Sequence, residues 1–352
     1  MHRRRPIGAA PPGCGLGAEA VVETYLKLVR HLADGRYHSG EALANALGLS
    51  RAAVWKAARK AVDRLGLAIE SRRGKGYRLA EALELLDPER FLGSMSRQGQ
   101  GRITRLEIYD DIDSTNAHLM AEGHAGAPSG SLCLAERQTA GRGRRGRTWV
   151  SPFGANLYLS LLWRFPVGPG ELGGLSLAAG AALAQVLDAA GIVGIGLKWP
   201  NDLLWRRRKL GGLLLEVAAE VQGPSLVVAG LGLNTRLRGD EILGIDQPWV
   251  DLDEILGPQG YSRNEIAARL AEALTATLER YGREGLAPFL PLWERYDIYR
   301  GETVEIRMGD RVIAGVQAGI TEQGALRLEV AGEIQIFNAG EVSLRPAERM
   351  PP

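Results

Sequence analysis

Gln138-Thr-Ala-Gly-Arg-Gly-Arg-Arg-Gly-Arg-Thr-Trp149 is the stretch around which the rest of the chain is organised. Arg142, Arg144, Arg145 and Arg147 alternate with Gly141, Gly143 and Gly146, and apolar, strand-like sequence flanks them on both sides. Guanidinium groups do not fit an apolar core, and the glycines permit positive φ and close approach of backbone to a ligand. Such a loop suits an anion clamp, each charge-assisted hydrogen bond contributing roughly 1.5–3 kcal/mol. On this segment alone a solvated Arg-Gly loop or an RNA-binding tract has equal standing.

The neighbouring segments tip that balance. Residues 103–109 alternate as a strand and run into Asp113-Ser-Thr-Asn116, where Ser114, Thr115 and Asn116 offer directional hydrogen bonds to a small polar ligand. Ser114 taken alone is read first as a helix cap. Residues 131–138 form the strand that delivers the arginine loop. Trp149-Val-Ser-Pro-Phe-Gly154 follows, with a ring able either to stack on a planar ligand or to join the core. Residues 155–165 alternate as a further strand, with Leu157, Leu159 and Leu161 on one side. Residues 171–190 carry a helical stripe of Leu172, Leu175, Ala179, Leu183 and Val186.

Gly196-Leu-Lys-Trp-Pro-Asn-Asp-Leu203 puts Lys198 inside an apolar strand. An ammonium is costly to desolvate there unless paired, so Lys198 is read as an anion-binding group. Arg206 to Arg208 read as a solvated turn, with Lys209 at the base of the next strand. Residues 226–235 form a buried strand whose glycines mark a close approach to its backbone. Ser262-x-x-Glu265 is a capping box before Ile266, Leu270, Leu274 and Leu278.

The N-terminal part differs in character. Net charge over the 352 residues is +2, but residues 19–80 sum to +6 and residues 81–352 to −7, so the two parts face different partners. Val22, Leu26, Val29 and Leu32 predict one amphipathic helix and residues 39–47 a second. A turn at Gly48-Leu49-Ser50 then leads, with Ser50 as cap, to a third helix over 51–65. This is a helix-turn-helix, with Val54, Ala58, Val62 and Leu65 as the core stripe of the third helix and Lys56, Lys60 and Arg64 on another face. A hairpin over 67–79 with Arg72, Arg73 and Lys75 suits a wing on a phosphate backbone. Arg51, Trp55, Lys56, Arg59, Lys60, Arg72, Arg73 and Lys75 are the candidate DNA contacts, Trp55 being equally compatible with partial burial. Residues 54–59, Val-Trp-Lys-Ala-Ala-Arg, identify no operator sequence.

The arginine-rich N-terminus lacks a continuous apolar segment and is expected to be a disordered extension and not a signal peptide. No apolar run is read as a membrane span, and two cysteines, Cys14 and Cys133, argue against a disulfide framework, so a cytoplasmic location is expected. Short strands and tight turns over 303–330 suit a small SH3-like barrel. No Walker sequence, Ser/His/Asp arrangement or metal-ligand spacing stands out. What repeats is cations beside glycine, the pattern for bringing anions together without a protein nucleophile.

In order and combination, these motifs resemble the biotin protein ligase family in its bifunctional ligase and biotin operon repressor (BirA) type. The likeness runs from about residue 20 to 347: Ser39-Gly-Glu, Leu49-Ser-Arg-Ala-Ala, Gly74-Lys-Gly-Tyr, Asp113-Ser-Thr-Asn, Ala140-Gly-Arg-Gly-Arg-Arg-Gly-Arg, Ser151-Pro-Phe-Gly-Ala-Asn-Leu-Tyr-Leu-Ser, Lys198-Trp-Pro-Asn-Asp-Leu and Lys209-Leu-x-Gly. The resemblance implies an α+β chain: a tail over 1–18, a winged helix-turn-helix over 19–82, a mixed α/β biotin/lipoate ligase-like domain over 88–292 and an SH3-like domain over 293–348. It implies formation of biotinyl-5′-adenylate from biotin and ATP, with Mg²⁺ on ligands the sequence does not name. Transfer to a lysine of the biotin carboxyl carrier protein of acetyl-CoA carboxylase would follow.

Arg144, Lys198 and Lys209 would offset the repulsion between carboxylate and α-phosphate. Ser114, Thr115, Asn116, Gln138, Arg142, Gly143, Arg144 and Lys209 are the implied biotin contacts, with Trp149 and Asn234 around the adenylate. Arg345 is read as either a phosphate contact or an exposed terminal arginine. The likeness also implies operator DNA as a partner and a homodimer when the adenylate is bound. Alternatives are a biotin-sensing transcription factor without catalysis, a lipoate or other acyl-adenylate ligase, and a ligase without operator binding.

Overall fold

The long apolar strand patterns assemble into one mixed sheet. The computed structural model describes residues 23–219, 223–238, 242, 244–258, 260–308, 310–338 and 343–346, and for the last four residues the backbone only. The chain divides into two compact units, Met1–Ala82 and Leu83–Pro352. The N-terminal tail and Val22 lie outside the described residues.

In the first unit, α1 (Thr24–Leu32), α2 (Gly40–Leu47) and α3 (Arg51–Leu65) precede a hairpin of β1 (Ile69–Arg72) and β2 (Gly76–Leu79). Ser39 and Ser50 cap α2 and α3 by accepting from Ala42 N and Ala53 N, and Gly48 and Gly66 end these helices in the left-handed conformation. The expected stripe on α3 needs one correction. Val54, Ala58 and Leu65 are buried, but Val62 is 41% exposed and Ala61 takes its place. Neighbours of Leu65 at i−4 and i−7, not i−3, point inward. Trp55 is 49% exposed, with the Arg59 guanidinium 5.3 Å from its ring centroid. Lys60 faces α1, pairing with Glu23 and lying over the Tyr25 ring, so it is already engaged within the unit.

In the second unit the seven-stranded sheet has the order β3-β4-β5-β9-β8-β7-β6. Its strands are β3 (Arg105–Tyr109), β4 (Ser131–Ala135), β5 (Asn156–Phe165), β6 (Ile195–Lys198), β7 (Asp202–Trp205), β8 (Arg208–Ala219) and β9 (Ser225–Asn234). Only the β3–β4 pair is parallel, crossing over through α6 (Thr115–His124). α4 (Pro88–Gly93), α5 (Arg97–Arg102), α7 (Leu175–Ala189), α8 (Leu252–Leu256), α9 (Arg263–Glu284) and α10 (Leu290–Tyr296) are its other α-helices among the described residues. Leu157, Leu159, Leu161, Val227, Ala229, Leu231 and Leu233 point to the main core, shared with Ala179, Leu183 and Leu187 of α7 and Leu270, Leu274 and Leu278 of α9. By length and composition Pro169–Ala189 could cross a membrane, contrary to the expectation of no such run, but its apolar side chains are spent in this core.

On the other face α6 covers only part of the sheet, packing Leu119 on Cys133, Leu162 and Val228. The strip beside it is left open. The C-terminal strands β10 (Thr303–Met308), β11 (Arg311–Ile320), β12 (Leu326–Val330), β13 (Glu333–Phe337) and β14 (Ser343–Pro346) form a five-stranded antiparallel sheet, order β13-β12-β11-β10-β14, consistent with the SH3-like expectation.

Candidate active site

The open strip has a floor of backbone because glycines fall where the pleat points into it. Gly230 lies opposite Ser160 of β5 and Leu214 of β8, and Gly232 opposite Gly212 of β8. A Cβ on Gly230 would lie 2.1 Å from Asn116 Oδ1, and one on Gly232 2.5 Å from the Trp149 ring. These two positions admit no other residue without moving a cleft wall.

At one end is a polar cluster at the start of α6. Ser114 caps this helix by accepting from Ala117 N at 3.4 Å, as the cap reading expects, and it also lines the cleft. Gln138 Oε1 accepts from Thr115 N (2.9 Å) and Thr115 Oγ1 (3.1 Å), while its Nε2 donates to Ser151 Oγ (3.4 Å). Ser160 Oγ lies 2.6 Å from Asn116 Oδ1 and 2.7 Å from Thr115 Oγ1, its single proton serving one of them. Asn116 Nδ2 donates to Glu216 Oε2 (2.8 Å), and Arg142 pairs with Glu216 Oε1 (3.4 Å). Donors and acceptors thus alternate across a small area, as a ligand with both an N–H and a C=O group requires.

At the other end are the cations. Lys198 Nζ lies 2.7 Å from Asp202 Oδ2 and Lys209 Nζ 2.9 Å from Asp202 Oδ1, with all three side chains largely buried. Burial would raise the Asp202 carboxyl, but the ammonium groups of Lys209 and Lys198 outweigh it and hold the acid well below the usual carboxylate range. The β6–β7 hairpin, with a cis Trp199-Pro200 bond at its turn, places Lys198 opposite Asp202. Lys209 reaches the same carboxylate from β8 and lies 5.4 Å from the centroid of the Trp149 ring. Asn234 Nδ2 holds the carbonyls of Lys209 (3.2 Å) and Val250 (3.1 Å).

The arginine loop roofs the strip. Gly143 N donates to Arg147 O (2.7 Å) and Trp149 N to Gly141 O (2.9 Å), closing a small hairpin around a turn at Arg144–Gly146. The expected role of the glycines is corrected in part. Of the three, only Gly146 takes positive φ (71°), whereas Arg145 itself is left-handed (φ 58°). Gly141 is required by space, since a Cβ there would lie 2.6 Å from Ser151 Oγ and Trp149 O. Arg144 reaches inward to Asn201 Oδ1 (3.2 Å); burial lowers its pKa, and the Asp202 carboxylate opposes that shift.

Every expected ligase-site residue except Arg345 therefore lines one cleft: Ser114, Thr115, Asn116, Gln138, Arg142, Gly143, Arg144, Trp149, Lys198, Lys209 and Asn234. The backbone of Arg345 lies in β14 opposite Glu305, and its side chain is outside the described residues. Sequence reading missed Asp202, Asn201, Ser160 and Glu216. The signal for Asp202 was present, as the acid four residues after the buried lysine across a tight hairpin. Ser160 and Glu216 enter through sheet register, which a sequence does not print. In the first unit, Lys75 lies 5.6 Å from the Tyr37 ring centroid, and Arg72 and Arg73 are exposed on the wing.

Residues 109–234 match the model of the Biotin/lipoate A/B protein ligase family, residues 300–345 the Biotin protein ligase C terminal domain, and residues 25–78 an HTH domain. The bifunctional ligase/repressor BirA of Escherichia coli is 43% identical over 92% of this chain and 98% of that protein. The biotin--[acetyl-CoA-carboxylase] ligase of Mycobacterium tuberculosis is 36% identical, with 68% of this chain and 88% of that protein covered. Among solved structures, biotin protein ligase from Aquifex aeolicus in complex with biotin and ATP matches with a TM-score of 0.59 and 28% identity, covering 70% of this chain and all of that one. With identity of this order over nearly the full length of both chains, this protein belongs to the biotin protein ligase family, in its bifunctional ligase/repressor branch.

Proposed function

We propose that the chain is an ATP-dependent biotin protein ligase that also represses transcription through its helix-turn-helix unit. The observation that carries the ligase reading is one glycine-floored cleft with alternating donors and acceptors at one end and two lysines on a buried carboxylate at the other. The ureido ring of biotin, one carbonyl between two N–H groups, meets Ser114, Thr115, Asn116 and Gln138. The valeryl chain runs over the floor toward Lys209, and the adenylate lies by Trp149 and Asn234.

A carboxylate oxygen of biotin attacks the α-phosphorus of ATP and pyrophosphate leaves. Lys198, Lys209 and Arg144 offset the charge of the two approaching anions and hold them in line. In the second step the uncharged amine of a carrier lysine attacks the carbonyl of the mixed anhydride and AMP departs, so no protein nucleophile is required. Mg²⁺ accompanies ATP. Among the described residues no three His, Cys, Asp or Glu side chains form a metal site, and Asp202 is taken by two lysines. With a nucleotide bound, phosphate oxygens and water would supply most of its ligands, as is usual for this ion. The acceptor is the biotin carboxyl carrier protein of acetyl-CoA carboxylase, reached in the cytoplasm.

The winged unit binds operator DNA through Arg51, Trp55, Lys56 and Arg59 of α3, with Arg72, Arg73 and Lys75 on the phosphates and Lys60 turned to α1. Adenylate-promoted dimerisation strengthens that binding. Incubation with ATP, Mg²⁺, biotin and an apo carrier domain, scored by intact mass, tests the ligase; biotin binding without carrier labelling would sink it. A gel shift on biotin-operon DNA tests the repressor. Affinity should fall steeply with salt, and Arg73→Ala should lower the log–log slope by about one. Absence of a salt-sensitive shift would leave a ligase without operator binding.

A further inference from the structure

The arginine loop is footed on a buried ion pair that touches neither substrate end of the cleft. Glu136, between β4 and Gln138, is fully buried, and Arg263, the first residue of α9, is 4% exposed. Arg263 Nη2 donates to Glu136 Oε2 at 2.9 Å and to Asn156 O at 2.7 Å, and Nη1 donates to Glu84 O. The other carboxylate oxygen of Glu136 accepts from Leu86 N, and its backbone accepts from Gly154 N at 2.9 Å. Glu136 and Asn156 are the residues from which the loop leaves β4 and returns to β5. Asn156 Oδ1 in turn accepts from Thr235 N (3.1 Å), next to Asn234. One guanidinium thus ties together both feet of the loop, the end of β9 and the segment 84–86. Gln138 and Asn234, at opposite ends of the cleft, lie within two residues of the network.

A pair this deeply desolvated gives little net stability over a well-packed apolar substitute, while loss of one partner is costly. Its use lies in fixing geometry: the planar fork of Arg263 sets the spacing between the two feet, which a lysine's point charge cannot do. We propose that Glu136 and Arg263 are positioning residues for the ligase reaction. They hold the feet of the arginine loop so that the roof stays over the adenylate until the carrier lysine arrives. This rests on the ligase reading given above.

The test uses full-length Glu136→Gln and Arg263→Lys, with Phe165→Leu, in the core at the far end of β5, as a control of similar thermal destabilisation. Each is assayed well below its melting temperature for biotin KM, single-turnover adenylation rate and the fraction of adenylate that escapes before transfer. Tryptic cleavage at Arg142 to Arg147 is followed by mass in the ligand-free protein, a readout independent of ligase activity. Both pair variants are expected to raise biotin KM at least 5-fold, to raise adenylate escape more than they slow adenylation, and to be cleaved in the loop several-fold faster. Phe165→Leu should change none of these. Parental escape and cleavage in both variants, or equal changes in the control, would overturn the proposal. Should Glu136→Gln not fold, Arg263→Lys, which keeps the charge and loses the fork, decides alone. An inactive parent protein would fail the ligase reading, and the loop-cleavage comparison would still judge the footing.

Discussion

Asp202→Asn keeps the shape of the side chain and removes the charge that Lys198 and Lys209 share. At 2.7 and 2.9 Å, the two pairs amount to roughly 12 kcal/mol of gross attraction at an effective dielectric near 20. Desolvation of the ions offsets most of that, and removing one partner from such a buried set costs about 3–5 kcal/mol because the others stay uncompensated. With each kcal/mol worth roughly 2–4 °C in a unit of this size, the variant should melt about 6–20 °C below the parent at pH 7. The folded Asp202 carboxyl is held below the ordinary range, so its contribution is complete above the unfolded value and is lost only as pH falls through the lower, folded one. The deficit should therefore be constant from about pH 5 to 8 and shrink below about pH 4. ATP with Mg²⁺ returns negative charge to the stranded lysines and should raise the melting temperature of the variant more than that of the parent. Differential scanning fluorimetry over this pH range, with and without nucleotide, reads all three effects. A deficit under about 2 °C, or a nucleotide shift no larger in the variant, would refute the counter-ion argument.

Arg144→Gly should release adenylate early and biotinylate lysines of a bystander protein such as serum albumin; labelling confined to the carrier domain would contradict the retaining role of the loop. Gly232→Ala should push Trp149 aside and raise the KM for ATP about 10-fold or more, whereas Gly230→Ala should strike Asn116 and raise that for biotin, since their added Cβ atoms meet different walls. Equal effects on both substrates would mean that the cleft does not divide this way. Asp297, whose oxygens accept from Gln317 Nε2 (2.9 Å) and Tyr299 N (3.1 Å), is pushed up to about 6, chiefly by burial. Its charged form therefore costs stability, a cost that grows as pH rises from about 4 to about 6 and levels off above. Urea melts should show the parent gaining about 1–2 kcal/mol on Asp297→Asn between pH 8 and pH 5, and a pH-independent difference would exclude this assignment.

Much of the site was legible because its chemistry is local. A lysine inside an apolar strand, glycines in a strand end and arginines in a loop each violate an ordinary pattern, and all three converge on the cleft. The helix-turn-helix was legible through the turn at Gly48 and the cap at Ser50, which act within a few residues of themselves, whereas the Ser39 cap emerged only in the structure. What escaped depends on pairing between distant segments. Ser160 looks like the polar side of an ordinary alternating strand until β5 is set beside β9 and under α6. Glu136 and Arg263 are 127 residues apart, and each alone reads as an exposed charge near a strand end and a helix start. Val62 failed for a local reason: both 61 and 62 lie near the face of Val54, Ala58 and Leu65, and the larger apolar side chain was taken for the core position, whereas Ala61 is the one fully buried.

The backbone floor makes strand register a determinant of chemistry as well as of folding. On β9, Val227, Ala229, Leu231 and Leu233 alternate with Val228, Gly230 and Gly232, the first set filling the core and the last two leaving room for a substrate. A slip of one residue against β5 would exchange the two sets, burying the glycines and planting leucines in the cleft. The same slip would leave holes in the core, so the hydrophobic demand that selects the correct pairing also keeps the substrate channel clear. Selection for a well-packed interior therefore guards catalysis at no separate cost, and the cleft cannot be blocked by misregistration without the fold itself failing first.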